Sequence, residues 1–539
     1  MGFEVPDVDW SRWPDWLSSI YDSIEELGYA NIFGGLASVY VSYRAIYALC
    51  LSPLRRVPGP LLARLTSKRA ELIGAAGGQV RAARADYEKY GDIYVYKPGA
   101  VAICNPEDLR LVLGSHEFRK TDFYKSIDFL GVQTIVSARD PKLASMKRRQ
   151  VGPYFNSSYL ARMEETIMKQ GIHSIKEKWD KLISESNDGK AEVEASRDLL
   201  FATFDTIGAL SFGREFGALK NNDNTAPRWI ASTVKYFAGY SMSPLLRMPP
   251  FSLLLKPWER QYKELTAYSA QCVAERRELL ARLDKDTPES KRPADLLQGF
   301  IDAEDPESKI RMTPVEVHAE SMLMMVLGSK TSSFTILWTI HLLTLYPEHY
   351  RRAVEEVRSA FGKDHVITYS EGRRTLPFVE ACIYESMRVA PVAGGMWPRL
   401  APKGGVTLSG YFIPAGTEIN VNIAAANLNK GYWTEPYLFN PLRFIDNEEA
   451  KRNVFTFSGG VRICPGRHLA WIEMVTILAN ILKDYDLRLP EDLVHLGPGV
   501  LDERGHPRLM ESKHYFSSNP TNPERDCRLV ISKSTWQTG

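Results

Sequence analysis

FSGGVRICPGRHLAWIEMVTILANIL, residues 457–482, is the stretch on which the fold turns. Cys464 stands directly before Pro465, and the run that follows has the apolar spacing of a long amphipathic helix with proline at its first turn. A cysteine at the N-terminal end of a helix faces unpaired backbone N–H groups and the positive end of the helix dipole, both of which favour the thiolate. Anionic sulfur is the form that ligates ferric haem iron and pushes electron density toward O–O cleavage.

The other five cysteines, at 50, 104, 272, 382 and 527, lie far apart with no C-x-x-C pair, which fits a reducing compartment and small buried thiols rather than a disulfide framework. In 539 residues, 44% hydrophobic and 24% charged with a formal net charge of +2, nothing indicates a nucleic-acid partner.

Phe457, Gly460, Arg462, Cys464 and Gly466 fill the pattern F-x-x-G-x-R-x-C-x-G. In this the chain resembles the cytochrome P450 superfamily, and with PKGGVTLSGYFIPAGTEINVN before the loop it is similar to fungal microsomal members. The resemblance implies a mostly α fold with a small β lobe and haem b held through an axial thiolate from Cys464. It further implies that Phe457 shields the sulfur, that Gly460 and Gly466 let the backbone turn close to it, and that Arg462 reaches a propionate.

Glu385 and Arg388 in YESMRVAP share one helix face and alone would read as a surface ion pair. In the family such a pair is joined by an arginine of a P-x-R-F segment, matched here by Pro441, Arg443 and Phe444, to form a structural network behind the cysteine loop. Arg399 and Arg148 fall where family members place further propionate contacts, although the aromatic or histidine partner expected four residues before Arg148 is Ala144. LGSKTS matches the family's oxygen-site stretch, with Gly328 as the small residue beside the haem and Thr331 as the hydroxyl. Lys330 takes the place of the usual acid. Its ammonium can organise water, pair with a substrate carboxylate, or turn away from the site.

The N-terminal 26 residues carry seven acids against Arg12 alone, unlike the basic start of a cleaved signal. Residues 27–54 form an apolar run interrupted by Arg44 and followed by Arg55 and Arg56; this is expected to be a single-pass anchor in the endoplasmic reticulum membrane, with the catalytic domain, 55–539, in the cytosol. An interfacial or merely buried helix is the alternative reading.

In the body, DIYVY and AVAIC read as strands around a turn and VRAARADYEKYG as a helix. MEETIMKQGIHSIKEKWDKLI and TAYSAQCVAERRELLARL read as longer helices. Thr313, Pro314 and Glu316 open a helix to about Tyr346 that is apolar on nearly all sides and is therefore expected to run through the domain centre. LDKDTPESKRPAD reads as a surface connection and SKHYFSSNPTNPERD as a lineage-specific loop before the strand-like RLVISK. Substrate contacts are expected from 123–136, 229–251, 322–327 and the turn PVAGGMW, all apolar.

The resemblance implies a haem-thiolate monooxygenase that hydroxylates, or oxidises in a related way, a hydrophobic small molecule of fungal secondary metabolism, using dioxygen and an NADPH-cytochrome P450 reductase. An isomerase, dehydratase or peroxide-using enzyme on the same scaffold is the alternative that Lys330 motivates, and a non-catalytic haem or lipid-binding protein is a third.

Overall fold

The computed structural model describes residues 29–242, 246, 248–283 and 293–535. Its centre is the helix Pro314–Leu345, capped by Thr313 and Glu316 as the sequence predicts, with Pro314 at its first turn. Most of its 32 residues are buried. This follows from a sequence with no polar face: helices pack against it on several sides, chiefly Ala195–Phe212 and Arg467–Asp484. The cysteine-loop helix Arg467–Asp484 is likewise buried on nearly every side, more so than an amphipathic pattern would give.

Gly328 is where the central helix and Ala195–Phe212 come closest. A Cβ built there would lie 2.5 Å from Cγ1 of Ile207. Gly328→Ala is therefore expected to destabilise the protein by about 1 kcal/mol net, overpacking outweighing the helix propensity that alanine adds. The urea midpoint measures it; an unchanged or raised midpoint would mean that the two helices part at no cost.

The β lobe joins distant parts of the chain. Ile93–Lys97 and Ala100–Ile103 form a hairpin, Glu418–Asn422 lies parallel to the second of them, and Met396–Leu400 is antiparallel to Glu418–Asn422. Val101, Ala102 and Ile103 are wholly buried, as a strand covered on both faces requires. Val406–Leu408 and Tyr411–Ile413 make a separate hairpin, and RLVISK pairs with Tyr485–Arg488 and Lys190–Glu194. The mostly α architecture with a small β lobe matches the sequence reading.

Three expectations change in detail. The helix predicted over MEETIMKQGIHSIKEKWDKLI is interrupted by a π turn at Lys169–His173, where Gly171 meets Ile477 of the cysteine-loop helix. SKHYFSSNPTNPERD is an ordered hairpin, Ser512–His514 against Ser518–Pro520, rather than an open loop. Of the charged connection, residues 284–292 lie outside the described residues, as do 243–245 and 247 of the segment between Tyr236 and Phe251.

The third concerns the anchor. Residues 1–28 lie outside the described residues. From Tyr29 the chain is helical to Ile46 and continues as a π turn, Tyr47–Leu51. Among the described residues no helix is long and apolar enough to cross a membrane. Asn31, the serines and Arg44 dilute the apolar run, and Arg44 donates to the Leu65 carbonyl at 3.3 Å.

Candidate active site

The central helix, the cysteine loop, the 123–136 loop and the 512–520 hairpin enclose a cavity of about 280 Å³. Cys464 lies on its wall, held by a hydrogen bond from its own N–H to the Phe457 carbonyl at 2.9 Å. Phe457 lines the same wall. Gly460 has φ +57°, and a Cβ there would sit 2.2 Å from the Leu113 carbonyl oxygen, so only glycine lets the loop pass the end of helix Pro106–Gly114. Gly466 has an ordinary φ of −75°, and a Cβ there would meet the Cys464 sulfur at 4.0 Å, normal contact distance; the tight constraint rests on Gly460.

Two effects oppose each other at the Cys464 thiol. Backbone N–H groups of Gly466 and Arg467 and the charges of Arg148 and Arg467 pull its pKa down, but burial outweighs them and pushes it up. The reason is the loss of water around the sulfur; a bound metal cation would favour the thiolate.

Arg462, Arg399 and Arg148 all line the cavity, and sequence reasoning missed a fourth cation beside them, Lys120. Arg148 donates to the Ile463 carbonyl at 2.5 Å, within the cysteine loop itself. Arg399 donates to the Tyr124 hydroxyl at 2.8 Å, and the Lys120 ammonium stands 4.6 Å from the centre of the same ring while donating to the Val136 carbonyl. Burial and the neighbouring guanidinium groups of Arg399 and Arg148 hold Arg462 down at about 10, and burial, then Arg399, Arg462 and Arg148, push Lys120 well below its ordinary value. Like charges crowded into a buried wall are costly unless an anion joins them. The two propionates of haem are such anions, and the donors fit them: Arg462, Arg399, Arg148 and Lys120 would hold the carboxylates and Cys464 the iron.

On the opposite side Leu323, Val326, Leu327, Lys330, Thr331 and Ser332 of the central helix face the cavity. Gly328 is not among these lining residues; a Cβ there would meet Ile207, which gives the glycine a packing role between two helices. The Thr331 hydroxyl donates to the Leu327 carbonyl one turn earlier at 3.0 Å. The four segments expected to touch substrate each contribute lining residues, among them Phe129, Val234, Leu323 and Trp397. Phe516 and Ser517, at the tip of the hairpin read as a loop, line it too.

Two buried acids support this wall. Glu320 accepts from the Ile135 N–H at 2.8 Å, pinning the 123–136 loop to the central helix; burial, against the opposing charge of Lys147, pushes it up to about 7. Glu473, on the cysteine-loop helix, is hydrogen-bonded to Ser332 and leaves Oε1 without a partner; burial pushes it up to about 8. In the unfolded chain Glu473 ionises near the ordinary 4.5, so between 4.5 and about 8 the native state holds the extra proton and stability falls as pH rises. Glu473→Gln, which does not titrate, is expected to match the wild type near pH 4.5 and to exceed it by a few kcal/mol above about pH 8 in urea unfolding. A stability difference that is flat with pH would contradict this.

Behind the loop, Arg388 meets Glu385 through two bonds of 2.6 and 2.7 Å, both residues fully buried, and Arg443 Nε approaches the same carboxylate at 3.4 Å. The three network residues named from sequence are thus brought together.

A thiol and a cluster of cations on one wall, with a hydroxyl-bearing helix on the other, define the site of a haem-thiolate protein. The Cytochrome P450 family model matches residues 73–496. The chain is 48% identical to the cytochrome P450 monooxygenase helB1 of Aspergillus fumigatus over 92% of its length and 85% of that protein. It is 47% identical to helB2 of the same fungus over 92% of this chain and 97% of that protein, and 42% identical to helB3 over 93% and 98%. The chain belongs to the cytochrome P450 family and is a monooxygenase, a haem protein by its family.

Proposed function

We propose that the protein oxidises a hydrophobic small-molecule intermediate of fungal secondary metabolism, by hydroxylation or a related step, with dioxygen and electrons from NADPH delivered by NADPH-cytochrome P450 reductase. The observation that carries the reading is the apolar cavity with Cys464 on one wall and Thr331 on the other. Haem b held by Cys464 supplies dioxygen activation there. The chain's own part is to bind and to exclude water: Phe129, Leu323, Val326 and Trp397 give a lining that favours apolar substrate. The Thr331 hydroxyl, bonded to the Leu327 carbonyl, is placed to hand a proton into the cavity once it turns from that bond.

We place residues 55–539 in the catalytic domain, on the cytosolic side of the endoplasmic reticulum, with the N-terminal segment attaching it to the membrane. Leu36, Val39, Tyr40 and Val41 of the first described helix are exposed, as are Leu61, Leu62, Phe251 and Leu254, which supports an apolar face for lipid.

The test is product profiling of membranes that contain the protein and a reductase, fed lipophilic metabolites under labelled dioxygen with and without NADPH. Label in an NADPH-dependent product supports the reading. Product formed without dioxygen and NADPH would replace it with isomerase or dehydratase chemistry.

A further inference from the structure

Among the described residues Lys330 has no counter-charge. It lines the cavity, and the charges that act on it come down to one, Lys235 of the facing helix Thr225–Met242, which repels it. Its ammonium lies 5.3 Å from the centre of the Phe334 ring and, among the described residues, makes no ion pair or hydrogen bond. Burial, then Lys235, brings it down to about 8, so at neutral pH it is still mostly protonated. The cations of the cysteine-side wall would share the two haem carboxylates as partners, whereas Lys330, beside Thr331, has no such anion among the described residues. A ring face compensates only a small part of the hydration that a half-buried ammonium loses.

We propose that Lys330 is a specificity-determining residue and that the substrate is an anion: an apolar skeleton carrying a carboxylate that pairs with the Lys330 ammonium. The inference rests on the cavity being the substrate site of the proposed enzyme and deepens that reading. Two lysines from facing helices, with no acid between them, create a positive region within an otherwise apolar lining. A carboxylate there restores the missing counter-charge through a charge-assisted hydrogen bond. Because Lys330 adjoins Thr331 and shares the cavity with Val234 and Phe237, the acid end is held on the side of helix Thr225–Met242 while the skeleton crosses the cavity. An uncharged ligand of the same shape leaves the ammonium unpaired and binds less well.

The experiment is calorimetric binding of dodecanoate and of the tricyclic abietate, each against its own methyl ester, to the haem-loaded full chain and to Lys330→Met and Lys330→Arg variants. The wild type is expected to favour at least one acid over its ester by about tenfold or more, with Lys330→Arg keeping the preference and Lys330→Met losing it while still binding the ester. Equal affinity for acid and ester, binding of neither acid, or a preference that survives in Lys330→Met would overturn the proposal. The carbon monoxide spectrum of each ferrous protein reports separately on the haem-thiolate reading. A protein without the thiolate signature fails that reading, and one with the signature but no acid preference fails only the proposal about Lys330.

Discussion

Replacing Cys464 by serine is expected to abolish the thiolate signature of the ferrous carbon monoxide complex and to reduce product formation by well over about a hundredfold. Partners that merely orient a metal ligand are worth about 10–100-fold when lost, and the ligand itself must exceed them. The loop is built to present this one atom: the Cys464 N–H is bonded to the Phe457 carbonyl, and the N–H groups of Gly466 and Arg467 are directed at the sulfur. A serine hydroxyl fits the same space, so the backbone of the loop is expected to stay in place, but it ionises far less readily than a thiol and makes a poor soft ligand. Cys272 provides the control. Its thiol, which burial pushes up, packs on helix Lys256–Arg282 and contacts Tyr268, so Cys272→Ser should leave the spectrum unchanged. A Cys464→Ser protein that kept the wild-type spectrum, or a Cys272→Ser protein that lost it, would move the iron ligand elsewhere.

The parts of the site that were legible in sequence are those in which backbone geometry forces residue type. Gly460 must be glycine because its φ is positive and the Leu113 carbonyl lies against it, so the cysteine loop carries a dense local pattern. The central helix announced itself through Thr313, Pro314, Glu316 and an unbroken apolar run. Residues that work through distant contacts left no such trace. Lys120 and Tyr124 reach Arg399 only because the chain returns some 275 residues later to set the strand Met396–Leu400 beside them. The hairpin that brings Phe516 to the cavity contains Asn, Ser and Pro, which read equally well as an open loop. The close approach of Gly328 to Ile207 was not legible, because a small residue in a helix looks the same whether it makes room for a ligand or for a neighbouring helix. Burial, which sequence does not report, opposes the pull of the helix end on the Cys464 thiol.

Removing the Glu385 carboxylate is expected to cost about 3–5 kcal/mol, the usual price of stranding a buried charge, and to lower haem occupancy in parallel. Arg388 is fully buried, and besides its two bonds to Glu385 it donates to the carbonyls of Asn427, Pro436 and Leu438 at 3.1, 2.6 and 3.1 Å. Glu385 also accepts from the Asn440 N–H at 2.8 Å, so one ion pair ties helix Pro377–Val389 to the 427–443 segment at several points. The tie continues to the site. The side chain of Asn427 accepts from the Phe455 N–H at 3.1 Å, the Thr456 hydroxyl donates to the Met387 carbonyl at 2.8 Å, and Phe457 holds Cys464. With Glu385→Ala the guanidinium keeps its carbonyl partners but loses the carboxylate it pairs with and is left beside the repelling Arg443, so the segment must move to hydrate it. Since a domain is stable by only about 5–15 kcal/mol, such a loss is expected to show as a lower urea midpoint and as a fall in the thiolate signature before global unfolding. Arg388→Lys should behave similarly, because an ammonium cannot make the paired bonds and reach three carbonyls at once. If Glu385→Ala kept full haem occupancy and the wild-type midpoint, the network would be a dispensable ion pair and the cysteine loop would be held by its own backbone alone.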